Sequence, residues 1–253
     1  MRYVKAPLLA PNGEKSLLTP AQYKIVRSTP FKAWFGDWTK KRNHSVVVDK
    51  NGEPLVCYHG TKADVKKGFK FDPKFWNSNG SEHGRGFYFV ADKSIAKGYG
   101  KSISVFLNIR KPLDTKATRI NKGKEKLISF LIKRIIEIQE NGRAIDKYKD
   151  SFLSNYVNTY QYNYNYCVRE AIRMILEDSN TIMDILAELG NVCGSYSDVY
   201  KAFNELTGYD GFINHDYNGT KKSVFVAWFP NQIKHIRNKT FDVNKKEIHS
   251  KVE

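Results

Sequence analysis

Two short segments carry the residue types from which a binding chemistry can be built: Cys57-Tyr58-His59-Gly60-Thr61, and Gly84-Arg85-Gly86-Phe87-Tyr88-Phe89-Val90-Ala91-Asp92 followed by Ala96-Lys97-Gly98-Tyr99. A glycine turn throws a short aromatic strand, and a helical turn after it presents a second tyrosine. One exposed histidine and two rigid aromatic faces suit a flat aromatic ligand attached to a ribose, since aromatic rings favour offset stacking. Gly60 bares its backbone to close approach, and the Thr61 hydroxyl can donate or accept. Arg85 either meets a pyrophosphate or is simply solvated between its glycines. His215-Asp216 places adjacent polar groups in a loop, where a histidine of near-neutral pKa can deprotonate an amino or hydroxyl acceptor. Asp210 reads as a turn residue bonding local backbone.

Strands and turns must hold these groups. Residues 18–42 read as a helical lead-in, opened by Thr19 as a capping residue with Pro20 at the first helical position. Phe31, Trp34, Phe35 and Trp38 recur there at helical spacing, as core or as a platform under the first strands. Two β-branched runs flank Asn51-Gly52, which predicts a hairpin over 46–59. Strands are expected at 87–90 and 103–109. From 115 to 206 the pattern turns helical. Leu127, Leu131, Ile135 and Ile138 share one face, Ala171, Ile172, Ile175 and Leu176 mark a second helix, and Val199 to Leu206 a third. The link between the first two carries Tyr156, Tyr160, Tyr162, Tyr164 and Tyr166, which read as half-buried or as stacking faces for unpaired bases. Strand pattern returns at 211–214 and 223–228, and residues 244–253 read as a charged, mobile tail. The expectation is one domain over 1–253, of α+β class, with an antiparallel sheet core and an inserted helical region.

Composition narrows the function. At 253 residues with 41% apolar and 13% aromatic side chains, the chain can bury a substantial core. No apolar run approaches the roughly 20 residues of a membrane span. The apolar stretch after Met1 is too short for an export-signal core, and Cys57, Cys167 and Cys193, with no paired spacing, read as reduced thiols. The expected location is therefore cytoplasmic, with no membrane partner, and no metal is expected. The net charge of +16 serves solubility, or else a polyanionic partner such as nucleic acid. An acidic, antitoxin-like inhibitor protein could use the same surface.

The two segments together resemble the NAD pocket of ADP-ribosyltransferases of the diphtheria-toxin and poly(ADP-ribose) polymerase type. There, His-Gly-Ser/Thr and Gly-x-Tyr-Phe motifs carry the dinucleotide. The lead-in Thr29-Pro30-Phe31-Lys32-Ala33-Trp34-Phe35-Gly36-Asp37, with Phe106-Leu107-Asn108-Ile109, Gly208-Tyr209-Asp210-Gly211 and Pro230-Asn231-Gln232-Ile233-Lys234, is similar to ADP-ribosyltransferase domains of bacterial and phage polyvalent proteins. The resemblance spans about residues 20–236, with the helical insert matching least. It implies a split antiparallel β-sheet, two small apposed sheets with the NAD cleft between them. It also implies that His59 bonds the adenosine ribose, that the Gly60 backbone with Thr61 grips the nicotinamide amide, and that Tyr88 and Tyr99 sandwich the ring. One position departs from the family pattern. The family's glutamate lies eight residues before the glutamine, which from Gln232 falls on Val224. A valine cannot bind the ribose hydroxyl or stabilise positive charge. Three readings stand open: another acid is recruited from elsewhere, Asp216 or Asp210 substitutes, or the domain binds without catalysing.

The reading that follows is NAD-dependent mono-ADP-ribosylation, with NAD as co-substrate, His59, Tyr88 and Asp216 as catalytic residues, and Arg85 joining the NAD-binding set. RNA or other single-stranded nucleic acid is the favoured acceptor, as for a bacterial or phage toxin or defence effector. Three alternatives stay open. A protein-directed transferase shares every NAD residue. An NAD-dependent RNA 2′-phosphotransferase tolerates an apolar third motif but places histidine where Tyr88 stands. A non-catalytic NAD- or RNA-binding module is favoured by Val224.

Overall fold

The computed structural model describes residues 7–40, 43–65, 69–76, 83–114, 119, 123–141, 164–216 and 222–249. They fall into two compact units. The first comprises residues 1–76, 86–112 and 210–253, and the second 77–85 and 113–209. Each has its own core.

In the first unit, helices α1 (Pro20–Val26) and α2 (Thr29–Phe35) form the lead-in. Thr19 and Gln22 close a capping box on α1, and Ser28 caps α2, satisfying amides that the helix starts leave orphaned. Phe31, Trp34, Phe35 and Trp38 are buried against Phe106 and Phe241. The two indole N–H groups donate to the carbonyls of Asn231 and Val26, both at 2.9 Å. Glu53, fully buried, is satisfied by Arg27 at 2.7 Å and by the Ser16 hydroxyl.

The sheet has seven strands: β1 (Cys57–Thr61), β2 (Phe87–Val90), β3 (Lys101–Leu107), β4 (Pro112–Asp114), β5 (Gly211–Asn214), β6 (Val224–Ala227) and β7 (Ile233–His235). Their order is β4-β5-β6-β2-β1-β3-β7, and every registered pair between β1–β3, β5, β6 and β7 is antiparallel. The two apposed sheets expected for this core are here a single seven-stranded sheet. One ladder runs throughout, yet β1 and β2 share a single registered pair, Tyr58↔Val90, against five between β1 and β3 and four between β2 and β6. The sheet is thus two half-sheets joined at one seam. Helix α3 (Lys93–Lys97) lies on β1.

Three expectations meet differences in this unit. The Asn51-Gly52 turn forms, with Gly52 at φ +79°, but its arms make only the isolated bridge Val48↔Pro54. The Val47 amide, which the next rung to Leu55 would need, is taken instead by the Ser45 hydroxyl at 3.2 Å, so the ladder stops there. The segment read as a mobile tail from 244 is docked as far as it is described. The Ile248 amide donates to the Phe69 carbonyl at 3.1 Å, Ile248 itself is buried, and the buried Lys234 amine donates to the Glu247 carbonyl at 3.2 Å. Finally, Asp210 accepts from the amides of Arg110 and Lys111, each at 2.9 Å. It thereby staples the two chain ends between which residues 113–209 are inserted.

The second unit is helical: α4 (Lys124–Asn141), α5 (Tyr164–Asp178), α6 (Ile182–Cys193) and α7 (Tyr196–Thr207). Helix α4 buries Ile128, Leu131, Ile132 and Ile135, whereas Leu127 and Ile138 of the expected face are half-buried. The sequence reading missed α6. Its buried residues include Ile182, Met183, Ile185, Leu186, Leu189 and Val192, and Asp184, Glu188 and Asn191 form a polar stripe on the opposite face. A capping box of Thr181 and Asp184 was its legible signal. Tyr156, Tyr160 and Tyr162 lie outside the described residues, as does Lys122; Tyr166 is exposed on α5. Among the described residues, no helix is long and apolar enough to cross a membrane.

Candidate active site

The seam between β1 and β2 is where the sequence-predicted residues meet. Beyond Tyr58 the two strands no longer pair, and His59 spans the gap with its side chain. Its Nδ1 lies 2.8 Å from the Tyr88 carbonyl oxygen. A carbonyl only accepts, so Nδ1 carries the proton and Nε2 presents a lone pair. The ring packs against Phe71 at 5.0 Å and Phe89 at 5.4 Å between centroids. This burial pushes the imidazole pKa down, the bond to Tyr88 opposing it, and keeps the ring neutral at pH 7. Sequence reasoning expected an exposed histidine, but the side chain is half-buried, because aromatics of the segment after β1 cover it.

Strand alternation sorts the remaining groups. Tyr58 faces Val90, so Tyr58, Gly60, Tyr88 and Val90 share one side of the sheet, while His59 leaves from the other. The structure therefore brings His59 to the backbone of Tyr88 and not to its ring. Tyr99 joins from above Gly60. A Cβ built on Gly60 would stand 1.9 Å from the Ala96 carbonyl oxygen and 2.8 Å from the Tyr99 Cβ. The bare backbone expected to receive a ligand thus also seats α3 and the start of Tyr99, whose side chain is 63% exposed. Thr61 accepts the Ala63 amide at 3.1 Å. Gly86, at φ +154°, leads into β2 where a side chain would strike Val226.

The third-motif region differs most from the family pattern. Val224 is buried, facing Val90 on one side and Asn214 on the other. Gln232 is a brace. Its Oε1 accepts from the amides of Trp228 and Phe229, and its Nε2 donates to the carbonyls of Asn108 and Asp210. Asp210 has each carboxylate oxygen bonded to a backbone amide, and it precedes Gly211, which pairs with Ala227 at the opposite end of β6 from Val224. Burial raises its pKa, the Arg110 and Lys111 amides opposing that rise. Asp216 is exposed, and its amide donates to Asn214 Oδ1 at 2.9 Å. His215 Nδ1 lies 3.4 Å from Ser223 Oγ. Arg85 belongs to the second unit, where its guanidinium lies 4.0 Å from the Tyr196 ring and its amide donates to Tyr200 Oη at 3.0 Å.

Sequence reasoning missed one feature entirely. A shallow cleft of about 510 Å³ opens over Val90, with Tyr58, Asp92, Lys93, Lys222 and Ser223 among its walls. Asp92 Oδ1 caps α3 through the Ser94 amide at 2.8 Å and the Ser94 hydroxyl at 2.6 Å, and Oδ2 meets Lys222 at 2.9 Å. Those bonds, that of the Ser94 hydroxyl first, hold the carboxyl far below the usual carboxylate range. Asp92-Lys93-Ser94 was readable as a helix cap; its proximity to Lys222 was not. Among the described residues, no three metal-ligating side chains gather in one place.

Residues 49–243 match the family described as ADP-ribosyltransferase in polyvalent proteins, well over half of the chain. No curated protein and no solved structure matches it.

Proposed function

Because the chain belongs to the ADP-ribosyltransferase family found in polyvalent proteins, we propose that it is a mono-ADP-ribosyltransferase consuming NAD, with RNA ahead of DNA as acceptor. The observation that carries the NAD reading is the seam: a neutral imidazole fixed by the Tyr88 carbonyl, next to a glycine on which Tyr99 is seated. Gly60 and Thr61 hold the carboxamide and Tyr88 with Tyr99, which share one side of the sheet, bracket the nicotinamide ring, while His59 on the other side positions Tyr88 through its carbonyl. Holding that ring fixed serves the reaction directly. The C1′–N bond breaks with its electron pair leaving on nicotinamide, and the acceptor's oxygen or nitrogen closes on C1′ and gives up its proton. Positioning supplies most of such an acceleration. His215 and Asp216, in the loop between β5 and β6, face the acceptor, His215 as the base that takes its proton. Arg85, stacked on Tyr196, is given no part.

The acceptor rests on charge. A net +16 favours phosphates, and Lys126 and Lys133 are exposed on α4. The stripe is thinner than its sequence suggests, since Arg134 is paired to Glu205 and Glu137 and Lys124 donates to the Ser179 carbonyl. That pairing is what favours the second reading, a protein acceptor. A toxin or defence effector with an acidic inhibitor protein is the setting that fits either one. The test is labelled NAD incubated separately with RNA, DNA and lysate protein, scoring nicotinamide release and label transfer. Label on protein alone overturns the nucleic-acid acceptor, and no nicotinamide release with any acceptor overturns the transferase.

A further inference from the structure

Val224 leaves the family's acid position filled by an isopropyl group, and one carboxylate lines the cleft over the same patch of sheet. Val224 faces Val90 across the β2–β6 ladder. The cleft above Val90 is walled by Ser223, which immediately precedes Val224, and by Asp92 and Lys222. Of the two acids suggested by the sequence, Asp210 lies by the Ala227 end of β6, away from Val224, and is not among the cleft's walls. Asp216 is exposed on the loop beyond β5 and is not among the cleft's walls. We infer that Asp92 is the catalytic carboxylate that takes over from the missing glutamate, held in place by Ser94 and Lys222.

This inference rests on the NAD-transferase reading. The geometry supplies what that role requires. Oδ1 is fixed by two bonds from Ser94, and Oδ2 takes one from Lys222, which leaves Oδ2 a lone pair for a ribose hydroxyl. A group fixed before the substrate arrives needs no reorganisation as positive charge builds at C1′, and such preorganised electrostatics is the largest contribution in many enzymes. The side chain is 37% exposed, so substrate can reach it. Lys222 also sets a specificity: a second anion in the cleft would compete with Asp92 for its amine, so the site suits a ribose hydroxyl better than a phosphate at this point.

Asp92→Asn is the informative substitution. Asparagine caps a helix as well as aspartate does, so α3 and Tyr99 stay in place while the negative charge is lost. Turnover, read as nicotinamide release, is expected to fall by roughly 100-fold, the scale for removing one electrostatic stabiliser. NAD affinity, read by calorimetry, and the melting temperature should stay near those of the wild type. Asp92→Glu should restore part of the turnover, which a purely structural cap would not require. Wild-type turnover in Asp92→Asn, with NAD binding lost in His59→Ala and Tyr88→Ala, overturns this assignment alone. A loss confined to Asp216→Asn does the same. A wild-type protein that neither binds NAD nor releases nicotinamide overturns the reading beneath it as well.

Discussion

Gly60→Ala is the sharpest single test of how the site is held. The added methyl would be 1.9 Å from the Ala96 carbonyl oxygen, 2.8 Å from the Tyr99 Cβ and 2.9 Å from the Ala96 carbonyl carbon. An ordinary carbon contact needs about 3.5 Å, so α3 must retreat by more than an ångström. The obstruction is backbone and not a flexible side-chain end, and a helix of five residues has little else to yield. Overpacking of this kind costs about 1–3 kcal/mol, a fall of roughly 2–10 °C in Tm for a chain this long. Activity should suffer more than stability. Tyr99 follows directly on α3, and a misplacement of about 1 Å can cost on the order of 100-fold in rate. Nicotinamide release and thermal unfolding would be measured in parallel. Gly98→Ala serves as control at the end of the same helix, because its methyl meets only the Ile95 carbonyl oxygen at 3.3 Å and its φ is not left-handed. If Gly60→Ala matches the wild type in both rate and Tm, α3 is not seated on β1 as described.

Further outcomes follow from the same structure. His59→Ala and Tyr88→Ala should each abolish NAD consumption while leaving circular dichroism unchanged; consumption at the wild-type rate in both would remove the seam from the site. Asp210→Ala strips two amides of their acceptor and should destabilise the fold by about 1–3 kcal/mol, measured by urea unfolding, whereas a neutral effect would deny the staple. His235, half-buried 4.1 Å from the His249 ring and near Arg237, has its pKa pushed down to about 4, by burial first and then by these neighbours. Below the unfolded value near 6.5 the unfolded chain takes up a proton that the folded one refuses, so stability should decline as pH falls from 6.5 to 4. Solvent screening holds that loss to about 1 kcal/mol. A Tm flat over that range, or as steep in His235→Phe, would contradict it. RNA binding, if charge drives it, should weaken sharply as salt rises, and salt-independent binding in a filter assay would point to another contact.

Much of this was readable in the chain because it depends on local pattern. The strands at 87–90 and 211–214 coincide with their alternating or β-branched runs, and the Thr19 cap marks the first helix. The aromatic spacing of Phe31, Trp34, Phe35 and Trp38 gave the core of the lead-in. Non-local partners were not readable. Nothing in the spacing of Asp210 shows that it would take the amides of Arg110 and Lys111, a hundred residues back. Lys222 and Asp92 are likewise far apart in sequence and meet only because β2 and β6 are neighbours. His59 was legible as a residue but not as a wedge, since its burial depends on Phe71 from a segment with no regular pattern.

The Asp210 staple makes the helical stretch a cassette. Lys111 and Asp210 are bonded to each other in both directions, carboxylate to amide at 2.9 Å and amide to carbonyl at 3.0 Å. The sheet therefore closes on itself whatever is threaded between them, and the entropy of closing that loop grows only slowly with its length. A lineage can lengthen, shorten or exchange residues 113–209, carrying 77–85 with them, without redrawing the strands that hold His59, Tyr88 and Asp92.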